Sequence, residues 1–396
     1  MSRIPPLAIT AFTATCAAGR GRDALAAALA SRTGGLRQND FNELPCWIGR
    51  VAGIGQAPLP AAWRAWESRN HRLAWLGLQQ DGFHEQALAA IERYGASRVA
   101  LIVGTSTSSI GETERAYREL DDGHFNAEQR QRRGHAAHAL GAFVQQALAV
   151  RGPCLTIATA CSSSAKVFAS AERLLHAGIA DAAIVGGVDT LCGSVLYGFN
   201  SLELVSSEPC RPFDVQRSGL SLGEAAGFAL LENIHADKSA PRLIGYGESA
   251  DAHHMSAPHP QGLGAERALR DALERAGLEP HEVDYINLHG TASRQNDEVE
   301  AMLIARAFPA TTLASSTKGW TGHTLGAAGI VEANIALLAL ERGLVPGTLN
   351  TQTLDPACGP QIQIDNREGN VRIALSNSFG FGGNNCCLAF AAGAAA

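Results

Sequence analysis

One cysteine, two histidines, a lysine and a glutamate stand where this 396-residue chain favours side-chain chemistry. The segment TIATACSSSAKVFASAERLLHAG (156–178) runs from an apolar strand pattern into Cys161, and an amphipathic helical pattern begins directly after it. A cysteine at such a junction meets unpaired backbone N–H groups and the positive end of a helix dipole, which favour thiolate over thiol. The same N–H groups can hold the oxyanion formed when a sulfur attacks a thioester carbonyl. A small apolar residue tucked under a helix start would look the same locally, so the segment alone leaves both readings open. His289 closes a strand pattern in VDYINLHGTASRQNDEVEA (283–301). Ligands of α/β sheets gather at such carboxyl ends, although a lone histidine there also fits a structural role. STKGWTGHTLGAAGIVEANIALLAL (316–340) places Lys318 and His323 in a Gly-rich loop ahead of a helix carrying Glu332. These three can hold one another by hydrogen bonds and ion pairing. SNSFGFGGNN (376–385) sets Phe379 and Phe381 among glycines, a backbone able to turn tightly and to move.

The elements that must position these residues alternate along the chain. Short runs rich in Val, Ile and Ala at 98–106, 154–160, 181–189 and 227–233 read as buried strands. Between them, 85–95, 162–178 and 264–277 read as helices, the last stopping on a glycine. The pattern restarts near residue 240, with strand patterns at 241–249, 283–290 and 373–390. An α/β protein of two comparable halves is expected, 1–240 carrying the cysteine and 241–396 the two histidines, with a junction in 232–242.

Composition narrows the partners. A formal charge of −6 is not that of a general nucleic-acid binder. No stretch reaches the ~20 apolar residues of a membrane span, and the N-terminus shows no export signal. Nine cysteines without CxxC pairs suit a reducing, cytoplasmic setting, most of them as small buried residues. His253, His254 and His259 form the one histidine cluster, but no carboxylate or cysteine ligand completes a metal site there.

Taken together, the motifs resemble the β-ketoacyl-[acyl carrier protein] synthases I and II of the thiolase superfamily, and more distantly polyketide ketosynthase domains. The resemblance rests on TACSSS around Cys161, RPFDVQRSGLSLGEAAGFALLE (211–232), APHPQG (257–262), HGTAS (289–293), NDEVEA (296–301), KGWTGHTLGAAG (318–329) and NSFGFGGNN (377–385), in the family's order. It implies a thiolase fold, two βαβαβαββ-type halves stacked as five αβαβα layers. It also implies a decarboxylative condensation of a malonyl thioester with an acyl group carried on Cys161. His289 and His323 correspond to the active-site histidines, Lys318 to their supporting lysine and Glu332 to a carboxylate behind the site. Phe379 corresponds to a gating residue whose N–H joins that of Cys161 in the oxyanion hole. Thr291 and Ser293 match the hydroxyls that hold the phosphopantetheine arm, with Ser293 where threonine is usual. Thr107, in TSTSS (105–109), falls near the acyl pocket.

No metal, nucleotide or redox cofactor is implied. The implied partners are an acyl carrier protein and a second subunit, identical or a related chain-length-factor type. Carrier proteins are acidic as a class, so basic docking residues are expected among Arg64, Arg69, Arg72, Arg130, Arg132, Arg133 and Arg211, foremost Arg69 and Arg211. Fatty-acid elongation is the pathway expected, with an aryl polyene or type II polyketide ketosynthase as the alternative. LAITAFTATCAAG at the N-terminus departs from the family's Gly-rich opening strand. A non-catalytic chain-length partner of the same fold is the reading from another class, and the presence of Cys161 speaks against it.

Overall fold

The computed structural model describes residues 3–131, 133–134, 136–233 and 239–393. The first half supplies strands β1 (Leu7–Cys16), β2 (Val99–Gly104), β3 (Cys154–Ile157), β4 (Ala182–Asp189) and β5 (Ala225–Glu232). The second supplies β6 (Arg242–Ala250), β7 (Tyr285–Asn287), β8 (Leu313–Ser315), β9 (Ile373–Gly380) and β10 (Asn384–Ala391). Spatial order is β3-β2-β4-β5-β1 in the first set and β8-β7-β9-β10-β6 in the second, the same arrangement twice. The parallel and antiparallel pairings also correspond, with β2 and β7 parallel to both of their neighbours. The two sets meet where β1 pairs antiparallel with β6, Leu7 opposite Leu243.

Strand alternation separates the layers. Val99, Leu101 and Val103 of β2 face an outer core, while Ala100 and Ile102 face a central one. Helices α1 (Arg69–Leu78), α2 (Phe83–Tyr94) and α3 (Ala139–Leu148) cover the outer face of the first set. On the other side of the molecule, α6 (Leu263–Ala276) and α7 (Arg294–Ala307) cover the second. Between the sheets lie α4 (Ser163–His176) and α8 (Ala328–Arg342); α5 (Gly193–Ser201) sits near the site described below. Every residue of α8 from Ala328 to Leu340 is buried, so its circumference is apolar except at Glu332 and Asn334. This is an α/β protein with the layered thiolase arrangement.

Two local features differ from the sequence-based expectation. The stretch 373–390 is two strands, β9 and β10, because Phe381–Gly383 turns the chain back with Gly382 at φ 77, a left-handed conformation suited to glycine. β8, only three residues long, carries too little pattern to be read from sequence. The junction expected in 232–242 lies partly outside the described residues. No helix among them is long and apolar enough to cross a membrane.

Candidate active site

β3 ends at Ile157, and three residues later the chain makes the turn Ala160–Ser162 that launches α4. Ala160 has φ 52, a left-handed conformation that a residue with a Cβ adopts at a cost of ~1–3 kcal/mol. The serines that follow pin this turn. Ser163 Oγ donates to the Ala160 carbonyl and accepts from the Thr159 N–H, while Ser162 Oγ donates to the Thr159 carbonyl. Ser164 Oγ accepts from Ile330 N–H at 2.9 Å, locking the start of α4 to α8. Cys161 is thus presented from a rigid corner, and its side chain is buried.

Both histidines converge on it from the second half. His323 Nε2 lies 2.9 Å from Cys161 Sγ, and the ligand atoms of Cys161, His289 and His323 all fall within 4.8 Å of one another. The two imidazoles meet edge to face, 5.3 Å between centroids. Backbone bonds seat the His323 loop on the SGLSLGE segment, with His323 N–H donating to Ser221 O and Gly223 N–H to His323 O. The His289 loop is held by two buried acids of α7. Glu300 accepts from the N–H groups of His289 and Gly290 at 2.9 and 2.7 Å, and Asp297 accepts from Thr291 N–H at 2.9 Å. Lys318 Nζ, fully buried, donates to the His289 carbonyl and to Glu332. The lysine therefore bridges the backbone of one histidine to the only carboxylate in α8's buried span.

Burial dominates the electrostatics. It pushes the Cys161 thiol up to about 12, with the Lys318 charge pulling the other way. Burial, then Lys318, hold both imidazoles well below their ordinary range. Glu332 is raised to about 7 by burial, against the pull of Lys318. Burial therefore favours a neutral thiol beside neutral imidazoles. This runs against the thiolate expected at a helix start, because burial disfavours the charged sulfur. His323 Nε2 can take the thiol proton as a base, and a protonated Nε2 can donate to an incoming oxygen. The same three side chains are the only group of potential metal ligands found among the described residues.

A cavity of about 470 Å³ opens onto these residues, and Thr291, Ser293, Phe379 and Phe381 also line it. Thr291 and Ser293 hydroxyls are 3.0 Å apart at its wall. The backbone N–H expected from Phe379 comes instead from Phe381, which hydrogen-bonds to Cys161 sulfur. Phe379 packs its ring near His289, 5.9 Å between centroids, and the Phe381 ring stacks on Phe199 of α5.

Other expected residues sit elsewhere. Thr107 does not line this cavity; its hydroxyl donates to buried Asp189 at 2.7 Å. Arg69 points its guanidinium inward onto Glu224, whose side chain is 0% exposed. Arg72 pairs with Glu67 and Arg211 with Glu208. Arg64 and Arg130 are exposed, Arg133 lies over the Trp66 ring, and Arg132 is outside the described residues. Asp297 and Glu300 were visible in sequence only as part of NDEVEA. Their spacing on one helical face, three residues apart, was the available signal.

Comparisons with known proteins agree with this geometry. "Beta-ketoacyl synthase, N-terminal domain" matches residues 69–236, and "Beta-ketoacyl synthase, C-terminal domain" matches 242–352. Nodulation protein E of Rhizobium meliloti (strain 1021) is 36% identical over 316 residues, 77% of this chain and 78% of that protein. The mitochondrial 3-oxoacyl-[acyl-carrier-protein] synthase of Arabidopsis thaliana is 40% identical over 261 residues, 61% of this chain and 57% of its own length. Among solved structures, the ketosynthase ApeO of Xenorhabdus doucetiae, in complex with its chain length factor ApeC, is 37% identical with a TM-score of 0.88, covering 98% of both chains. With a buried cysteine and two imidazoles gathered at one cavity, a lysine behind them and the family matched across both halves, the chain belongs to the β-ketoacyl synthases.

Proposed function

We propose that this chain extends an acyl group by two carbons through decarboxylative condensation with a malonyl group delivered on acyl carrier protein. The observation that carries this is the 2.9 Å approach of His323 Nε2 to Cys161 Sγ, with His289 beside them and the Phe381 N–H on the sulfur. In the first half-reaction the thiol proton passes to His323 Nε2 while sulfur bonds the acyl carbonyl carbon. The N–H groups of Phe381 and Cys161 hold the oxyanion, which collapses to acyl-Cys161 as the carrier thiol leaves with the proton. In the second, malonyl loses CO₂ and the electron pair enters an enolate whose oxygen accepts from His289 and His323. The enolate carbon attacks acyl-Cys161 and expels the sulfur as thiolate, which takes a proton from water to regenerate the thiol. Burial, and then the Lys318 charge, favour neutral imidazoles, each of which donates to the enolate oxygen through the N–H it carries. These steps use no resident metal, nucleotide or redox group, since the pantetheine arrives on the carrier and passes Thr291 and Ser293.

The reading is tested by mass spectrometry of Cys161 after exposure to a panel of acyl-carrier thioesters, followed by malonyl-carrier. Acylation and then a β-ketoacyl product two carbons longer are expected. An unmodified cysteine across the panel would overturn it. Fatty-acid elongation is the pathway supported by the 3-oxoacyl synthase relatives. The second reading, an aryl polyene or polyketide ketosynthase paired with a related subunit, is favoured by the full-length likeness to a ketosynthase solved with its chain length factor. Light scattering of the chain alone, then with a candidate partner, separates homodimer from heterodimer. Carrier docking suits Arg211, whose ion-pair partner Glu208 is exposed and can give way, better than Arg69, whose charge is committed to buried Glu224. A division at residue 240 is supported by the repeated strand order.

A further inference from the structure

Asp189 ends β4 with its side chain fully buried. Its Oδ1 accepts from Thr105 Oγ1, Thr107 N–H and Thr107 Oγ1 at 2.6, 2.8 and 2.7 Å. Its Oδ2 accepts from Gly326 N–H at 2.6 Å, and Ser106 N–H reaches both oxygens at 2.9 Å. All these donors are neutral, and no ion pair to Asp189 is found among the described residues. Burial raises this carboxyl while the Thr105, Thr107 and Ser106 donors pull it down, and a set made only of donors suits the ionised carboxylate. Hydrogen bonds to an ionised acceptor are shorter and roughly twice as strong as neutral ones, so the clamp is stiff.

What it clamps is the loop that carries His323. One side of that loop is pinned by the backbone bonds to Ser221 and Gly223. The other side passes through Leu325, held at φ 57, to Gly326. A non-glycine residue in that conformation persists only where its surroundings over-determine it. A Cβ on Gly326 would come within 2.7 Å of both Asp189 Oδ2 and Ser106 N, so the loop lies against the clamp with no space between. We propose that Asp189 is a positioning residue for condensation, binding the His323 loop to the Thr105–Thr107 loop and so holding His323 Nε2 on Cys161 Sγ. The proposal rests on the condensing-enzyme reading above. Its role is geometric, since the Asp189 charge opposes ionisation of the Cys161 thiol.

The contact can be broken from either end. Asp189→Asn, with its amide nitrogen at the Oδ2 position, keeps the Thr105 and Thr107 bonds but turns a donor toward Gly326 N–H. Gly326→Ala pushes the loop off the carboxylate without changing any charge. Each variant is expected to lose about 10²-fold in kcat, the scale of a misplaced catalytic group, while KM for the acyl carrier stays unchanged. The double variant is expected to be no worse than the poorer single. A readout independent of substrate is the pH profile of Cys161 alkylation by iodoacetamide. In the wild type, with His323 as base, it is expected to be flat near neutral pH. In Gly326→Ala it is expected to rise with pH. Folded variants with wild-type kcat, or with only KM raised and a flat alkylation profile, would overturn the proposal. If Asp189→Asn does not fold, Gly326→Ala decides. Should the wild type fail to condense malonyl at all, the functional reading falls, and the alkylation arm still tests the clamp.

Discussion

Removing the sulfur and removing the imidazoles must damage different half-reactions. Cys161→Ala abolishes acyl transfer and condensation, because the acyl group has nowhere to go. Malonyl decarboxylation survives, since its enolate oxygen is held by nitrogen and not by sulfur. His289→Ala removes one of two donors from that oxygen and is expected to slow decarboxylation by ~10²–10³, as for the loss of one oxyanion donor. Acylation of Cys161 should be nearly unaffected, since His289 is not the ring in contact with the sulfur. His323→Ala is expected to damage both. It loses the second enolate donor, and it strips a thiol raised to about 12 of the base 2.9 Å away. General-base assistance is worth ~10²–10⁴, so acylation should fall on that scale. The assay follows radiolabelled acyl transfer to protein and CO₂ release from malonyl-carrier in parallel. Condensation by Cys161→Ala, or histidine variants that keep full decarboxylation, would refute the role assignments.

Two further outcomes follow from burial. Neither the thiol, raised to about 12, nor the imidazoles, held well below 6.5, changes protonation between about pH 6.5 and about pH 9, so wild-type acylation should be flat there. In His323→Ala only thiolate reacts, and the rate should climb about tenfold per pH unit; an inflection near neutrality in the wild type would contradict the neutral-pair description. Arg69→Ala strands the carboxylate of Glu224 in the interior and is expected to cost about 3 kcal/mol in urea denaturation, with KM for the carrier unchanged. A raised KM without loss of stability would return Arg69 to the docking surface.

What could be read from sequence follows a physical division. β2, β4 and α4 are legible because each is long enough to show a period and is bounded by Gly or polar residues. Cys161 is legible because the strand-to-helix junction is local. The gathering of Cys161 with His289 and His323 is not local, and only the order of whole motifs pointed to it. Phe379 and Phe381 illustrate the limit at finer scale. Both occupy the same Gly-rich segment with the same side chain. Which of them approaches Cys161 depends on how the hairpin between β9 and β10 turns at Phe381–Gly383, which the local pattern does not reveal.

Charges were the least legible class, for a reason that Arg69, Thr107 and Cys161 share. An arginine at a helix start reads as surface, a threonine in a polar run reads as a pocket wall, and a cysteine at a helix N-terminus reads as thiolate. Each inference treats a side chain as if water and its own helix were its only surroundings. Glu224, 155 positions away, claims Arg69, and Asp189 claims Thr107. Cys161 is buried, and residues of the second half, His289 and His323 among them, lie against it. Burial by distant segments therefore reverses the local electrostatic expectation, and it reverses the mechanism with it. On the proposed mechanism the sulfur does not wait as a stored nucleophile. It would be activated when a thioester arrives, by His323, whose loop is held by the bonds to Ser221, Gly223 and Asp189.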